Sequence, residues 1–394
     1  MKVEPRTLKG FRDFLPKEAR KRNYVLNMLK SVFESYGFEP LETPVLEYEE
    51  ILSGKYGDEG DKLMYKFEDN GGRKVAMRYD QTVPLARAVA QYANDLPLPF
   101  KRYQIQNVYR ADNTQKGRYR EFLQVDIDTV GSSSPLSDAE IIICALAVVR
   151  KIGLKNPILF INDRKNFEGI DPKYISAIDK LEKIGREGVI EELRNKGLSV
   201  EQAEELMKEV EKTGISPDLK ELFKYIKSQI SEELPVEVRP TLARGLDYYT
   251  GPIFELVIQG EGGDSIGGGG RYDNLIGLFS GKQIPAVGFS FGFDRLIEVM
   301  ENQNLFPKDL SGTKVLVTNT SDRSAQVASE LRTKGIVVEL YVDEKDLDKQ
   351  LKYADKKQIP FVLIVEDETL TLKNMKTGEK QEITLETLPN ALRQ

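Results

Sequence analysis

The chain has 394 residues, 40% of them hydrophobic and 30% charged, and a formal net charge of −6. That balance excludes a disordered or fibrous chain and points to two or three globular domains, while the acidic total excludes a surface coated in basic residues but not a local basic groove. One cysteine, Cys144, excludes an internal disulfide and suits a reducing compartment, and the lack of any histidine removes the commonest acid/base and metal-ligating side chain.

The N-terminal MKVEPRTLKGFRDF has no apolar core of a signal peptide, so the cytoplasm is the expected location. Lys17 to Tyr36 then reads as an amphipathic helix with Val25, Met28, Leu29, Val32, Phe33 and Tyr36 on one stripe, ended by Gly37. Glu39 to Glu47 carries Pro40 and Pro44 and is extended. A strand is predicted over Lys74 to Tyr79, followed by a helix to Ala93 with Thr82 as its cap and Pro84 in its first turn. Two strands, Tyr103 to Arg110 and Glu121 to Val130, flank the polar loop ADNTQKGRY. A helix from Ser137 to Ile152 contains the longest apolar run, Ile141 to Val149, far too short to span a bilayer. From about Asp171 to Glu233 charged helix formers dominate, which reads as a separate helical insertion. Strands resume at Phe254 and Ala286, and PKDLSGT, Pro307 to Thr313, is a linker. Beyond it the pattern alternates βαβαβ, a compact α/β domain.

Several stretches look chemical. Along Glu121 to Val130, Leu123, Val125 and Ile127 form a core face, and Phe122, Gln124, Asp126 and Asp128 fall on the other. That second face is either a solvated sheet surface or a ligand floor. Arg110, Lys116, Arg118 and Arg120 around the preceding loop favour a floor, because arginine forks suit a triphosphate. Between Ala286 and Phe293 large residues alternate with Ala286, Gly288, Ser290 and Gly292, a bare face for a ligand or for close packing, and Arg295 follows. GGDSIGGGGRYD, Gly262 to Asp273, fits neither a dinucleotide fingerprint nor a P-loop and reads as a turn. Asp80, in MRYDQTVP, is open to reading as a helix cap. ARGLDYYTG, Ala243 to Gly251, crowds an arginine, an aspartate and two tyrosines before the apolar PIFELVI.

In order, GFEPLETPVLE, VYRADNTQKGRYREFLQVDIDTVG, ARGLDYYTG, GGGGRYDNLI and AVGFSFGFDRL resemble the signature segments of histidyl-tRNA synthetases, a class II aminoacyl-tRNA synthetase family. The resemblance implies an α+β fold: an antiparallel sheet with flanking helices over 1–310, a helical insertion at about 171–233, and an α/β anticodon-binding domain over 313–394. It implies a histidine–tRNA ligase, with L-histidine, ATP with Mg²⁺, and tRNA(His) as reactants, and a homodimer whose interface includes the segment of Pro44. Arg110 would hold the α-phosphate and the substrate carboxylate, Phe122 would stack on adenine, and Arg118 and Arg295 would clamp the outer phosphates. Asp80, Thr82 and Gln124 would hold the α-amino group, with Gln81 of the same segment also histidine-binding. Asp128 and Tyr249 would read the imidazole, beside Tyr248. Arg244 would share the catalytic charge with Arg110, and Asp247 would shape the side-chain pocket. Tyr79 and Thr114 stand where the family usually has proline, and Val125 where it commonly has cysteine. The rival is a regulatory subunit of ATP phosphoribosyltransferase, which shares this catalytic domain, usually lacks the C-terminal one and does not charge tRNA.

Overall fold

The computed structural model describes residues 3–114, 117–230, 236–244, 248–260, 265–307, 310, 312–343 and 345–392. Of two units, the first comprises Met1–Asp13 and Arg22–Leu305 and is built on an eight-stranded sheet. In chain order its strands are β1 (Glu39–Pro40), β2 (Phe100–Tyr109), β3 (Glu121–Val130), β4 (Pro157–Asp163), β5 (Val236–Val238), β6 (Pro252–Ile258), β7 (Ser265–Arg271) and β8 (Ala286–Gly292). They lie in the order β1-β2-β3-β8-β7-β6-β4-β5. Pairing is antiparallel except at the two edges, where β1 runs with β2 and β5 with β4. A smaller sheet joins Leu46–Tyr48, Lys74–Met77 and Lys66–Glu68.

Helix α1 (Pro16–Ser35) buries Val25, Leu29, Val32 and Phe33, the core of the predicted stripe. Gly37 leaves it at φ 76°, the left-handed region where glycine costs least. Helix α2 (Thr82–Gln91) starts at Thr82, but Thr82 is not its cap. Asp80 Oδ1 accepts from the Val83 N–H at 3.1 Å instead. Helix α3 (Pro135–Ile152) begins before the predicted Ser137, because Ser134 accepts from the Leu136 N–H and Pro135 suits the first turn. It is buried nearly all round, which is why its sequence is apolar without a stripe.

Four helices form the insertion: α4 (Pro172–Ile178), α5 (Leu181–Asn195), α6 (Val200–Glu211) and α7 (Pro217–Gln229). Ile175, Val189, Leu193, Ala203 and Met207 give the first three a shared core, which Ala243 joins, whereas α7 packs against α3. Helix α8 (Phe293–Asn302) follows β8 directly.

GGDSIGGGGRYD differs from expectation. Gly262 to Asp264 lie outside the described residues, and from Ser265 the segment is the buried strand β7, not a turn. A Cβ on Gly269 would stand 1.9 Å from the Gly288 carbonyl oxygen, and one on Gly268 1.5 Å from Arg244 Nη1. Crowding, not flexibility, selects glycine there.

The second unit is Phe306–Gln394 together with Phe14–Lys21. It contains β9 (Val315–Val317), α9 (Ser324–Thr333), β10 (Val338–Leu340), α10 (Leu347–Lys356) and β11 (Phe361–Val365), the predicted βαβαβ. Two further antiparallel strands, β12 (Leu370–Asn374) and β13 (Lys380–Glu382), extend its sheet in the order β10-β9-β11-β12-β13.

Candidate active site

Pleating sends Gln124, Asp126 and Asp128 to one face of β3, and the neighbouring strands decide what that face becomes. On one side Gln106, Gln104 and Arg102 of β2 stand opposite them; on the other, Gly292, Ser290 and Gly288 of β8. The small residues of β8 leave the face open: a Cβ on Gly288 would lie 1.9 Å from Asp128 Oδ1. The result is no solvated surface. Asp126 and Asp128 are each 3% exposed, at the bottom of a cavity of about 520 Å³.

Asp128 is spoken for within the protein. Tyr272 donates to its Oδ1, and Arg102 Nη2 is 2.8 Å from its Oδ2. Asp80 offers Oδ1 to the Tyr56 hydroxyl at 2.8 Å and to Val83, while its buried Oδ2 has no partner. Burial raises the Asp80 and Asp128 carboxyls above their usual range, and pushes Asp126 up to about 7, with Arg102 opposing and the charge of Asp128 adding to the rise. Burial also holds the Tyr56, Tyr248 and Tyr272 hydroxyls far above theirs, so all three remain protonated donors.

Cations stand over this floor. Arg110 and Arg118 line the cavity with Arg244, Tyr248 and Tyr249. Arg110 is braced: its Nε donates to the Tyr79 carbonyl at 3.0 Å, and its guanidinium lies 4.4 Å from the Tyr79 ring and 5.2 Å from Phe122. Tyr79, one of the departures from the family pattern, thus has a local task. Arg244 has φ 49°, a conformation costly for a residue with a Cβ. Its Nη1 donates to the Phe254 carbonyl at 3.1 Å, its guanidinium lies across Gly268, and its buried Nε has no partner among the described residues. Asp247 and Lys116 lie outside the described residues. Tyr248 and Tyr249 pack with ring centroids 4.9 Å apart, and the Thr82 hydroxyl hydrogen-bonds to Tyr248.

Asp80, Thr82, Arg110, Arg118, Gln124, Asp128, Arg244, Tyr248 and Tyr249 therefore converge on one cavity. Three sequence candidates are not in its lining. Gln81 is fully buried and donates to the carbonyls of Gln106 and Gln124, tying the turn before α2 to two strands. Phe122 is half-buried beside Arg110. Arg295 sits in the first turn of α8, where a Cβ on Gly117 would be 3.9 Å from its Nη2. Sequence reasoning assigned no role to Arg102, Tyr56 or Tyr272. The alternation of Arg102, Gln104 and Gln106 in FKRYQIQNVY carried a signal for the first; nothing around Tyr56 did.

The sequence profile of histidyl-tRNA synthetase matches residues 10–170 and 163–296. The chain belongs to the histidyl-tRNA synthetase family. A second profile, an anticodon-binding domain, matches residues 311–394. A histidine–tRNA ligase of Christiangramia forsetii is 40% identical over the whole of both chains, and one of Cytophaga hutchinsonii is 39% identical over 99% of each. Among solved structures, the histidyl-tRNA synthetase of Nostoc sp. PCC 7120 has a TM-score of 0.83 at 31% identity, covering 100% of this chain and 99% of that one. The fold is also that of a Bacillus halodurans protein described as ATP phosphoribosyltransferase regulatory subunit/histidyl-tRNA synthetase, with a TM-score of 0.71 at 23% identity over 89% of this chain and 97% of that one. Family membership makes this chain an ATP-using aminoacyl-tRNA ligase of class II, and the full-length ligase relatives set the regulatory-subunit reading aside.

Proposed function

We propose that the cavity binds histidine and ATP side by side and forms histidyl-adenylate, from which histidine passes to the 3′ end of tRNA(His). The observation that carries this reading is charge arrangement: Arg110, Arg118 and Arg244 share one cavity with Asp80, Asp126 and Asp128. Such a site suits a substrate with a carboxylate at one end and nitrogen cations or donors at the other.

The attacking carboxylate is already ionised at neutral pH, so the first step needs no general base. It needs two anions brought together. A carboxylate oxygen bonds to the α-phosphorus as diphosphate leaves, and Arg110 and Arg244 counter the charge that gathers between them. Asp80, Thr82 and Gln124 hold the α-amino group, Asp128 and Tyr249 face the imidazole beside Tyr248, and Gln81 fixes the turn that carries Asp80. Phe122 stacks on adenine, and Arg118 and Arg295 clamp the outer phosphates. Among the described residues no group of three or more acidic or cysteine side chains is placed to hold a metal. Mg²⁺, brought with ATP, would supply further positive charge for the leaving diphosphate beside Arg118 and Arg295.

Residues 1–310 would form the catalytic domain and 313–394 read the anticodon. Homodimer formation is supported by Leu46, Tyr48 and Phe67, exposed on one face of the small sheet just after Pro44. The cytoplasm, where tRNA is charged and thiols such as Cys144 stay reduced, is the proposed location. Histidine-dependent exchange of pyrophosphate into ATP, followed by charging of tRNA, tests the reading. Exchange that needs histidine supports it; exchange driven by another amino acid, or none, refutes it.

A further inference from the structure

Four buried acceptor atoms in the cavity lining lack a hydrogen-bond partner among the described residues: Asp80 Oδ2, Gln124 Oε1, Asp126 Oδ1 and Asp128 Oδ2. Asp80 spends its other oxygen on Tyr56 and Val83. Gln124 turns its amide nitrogen towards Ser290 Oγ, at 3.4 Å, which leaves its oxygen free. Asp126 stands opposite the same Ser290 across the strands, and that hydroxyl favours its charged form by hydrogen bonding. Ser290 thus lies between Gln124 and Asp126 and orients both. Asp128, the next carboxylate on the face, differs, because Tyr272 donates to its Oδ1 and Arg102 Nη2 stands 2.8 Å from its Oδ2 as an ion pair, though without a hydrogen bond.

We propose that Asp126 is a further histidine-binding residue, whose Oδ1 completes with Gln124 Oε1 and Asp80 Oδ2 a three-point acceptor for the substrate's α-ammonium. The inference rests on the reading of this cavity as the histidine site. An ammonium presents three N–H donors, whereas an imidazole presents at most two, on opposite sides of its ring. Successive residues on one strand face are about 6.6 Å apart, so Asp126 lies midway between the residue proposed for the amino group and the one proposed for the ring. Charge agrees with geometry. The groups acting on Asp126 are Asp128 on its own strand, Arg102 from β2, Ser290 from β8 and Asp80 from the turn before α2. Asp80, Asp126 and Asp128 have Arg102 beside them on the floor, and the other arginines of the cavity, Arg110, Arg118 and Arg244, are those proposed for the anionic end of the substrates, which leaves the acidic floor to the ammonium. With its carboxyl up at about 7, Asp126 keeps a proton near neutrality and gives it up when an ammonium arrives.

Calorimetric titration with two probes tests this. Histidinol keeps ring and ammonium but lacks the carboxylate; imidazole propanoate keeps ring and carboxylate but lacks the ammonium. Asp126→Asn should weaken histidinol by about tenfold or more, the scale of a charge-assisted hydrogen bond, and leave imidazole propanoate within about twofold. Because the chain has no histidine, the imidazole nitrogen resonances of bound probe stand alone in the spectrum, and they should be unchanged in the variant. In the wild type, histidinol binding near pH 7 should release a proton, read from the dependence of the heat on buffer; this needs no variant to fold. Equal loss of both probes, a shifted ring resonance, undiminished histidinol binding or no proton release would each overturn the role of Asp126. Failure of the wild-type protein to bind either probe would instead overturn the histidine site itself.

Discussion

Asp126 and Asp128 sit two residues apart on one face of β3, and only Asp128 has an arginine within ion-pair distance. The consequence is a pH dependence near neutrality in a chain without histidine. In the folded protein the Asp126 carboxyl is up at about 7 against an ordinary 3.8, so the native state holds this proton more tightly than the unfolded chain. Stability from that proton is whole below about pH 4 and is lost as pH rises through about 7. Unfolding of ligand-free wild type and Asp126→Asn at about pH 5 and about pH 8 measures it. The variant should gain on the wild type at the higher pH; an unchanged gap would mean that Asp126 is ionised throughout. Without histidine, titration in the neutral range needs a substrate, the α-amino terminus or a strongly shifted side chain. The sequence placed Asp126 on the ligand face, but the groups that tune its buried carboxyl, Arg102, Ser290 and Asp80, arrive from three distant segments.

At the scale of elements, β7 shows why part of the site was illegible. Glycine is a poor strand former, so GGGG reads locally as a turn. Its reason for being a strand lies elsewhere, in the guanidinium of Arg244 and the backbone of β8. By contrast, the floor was legible because period-two alternation survives in any tertiary context, and α1 because its stripe matches the face it buries. The cap of α2 was legible in part: Thr82 is not one, but Asp80, also open to that reading, reaches over Gln81 to the Val83 N–H. Crowding at β7 makes a prediction. Gly268→Ala would meet Arg244 Nη1 at 1.5 Å and the Phe254 carbonyl at 2.8 Å, displacing the arginine and straining the strand. Adenylate formation should fall by about 10²–10³, as for loss of a transition-state donor. Adding Gly268→Ala to Arg244→Ala should then cost at most about threefold more, because both changes remove one interaction. Additive losses in this double-mutant cycle would separate Gly268 from Arg244.

For the whole molecule, the proposed function divides two tasks between two units. All the residues proposed to touch histidine or ATP lie in the first unit, and the stretch matched by the anticodon-binding profile lies in the second. A chain ending at Leu310 should therefore exchange pyrophosphate at close to the full rate when folded, and charge tRNA worse by about tenfold or more, having lost one of two linked contacts. Full charging by that chain would refute the division. In the proposed chemistry the protein activates its substrate by positive charge, without a general base. Arg244 is the chief source of that charge, with its strained φ of 49° and an Nε in the cavity wall that has no partner among the described residues. The alternative is that it only braces β6 through the Phe254 carbonyl. Single-turnover adenylate formation by Arg244→Ala, at saturating histidine and ATP on folded protein, decides between them. The predicted result is a rate lower by about 10²–10³ with an unchanged melting temperature, only partly restored by Arg244→Lys. A variant that melts early yet forms adenylate at the wild-type rate at low temperature would contradict it.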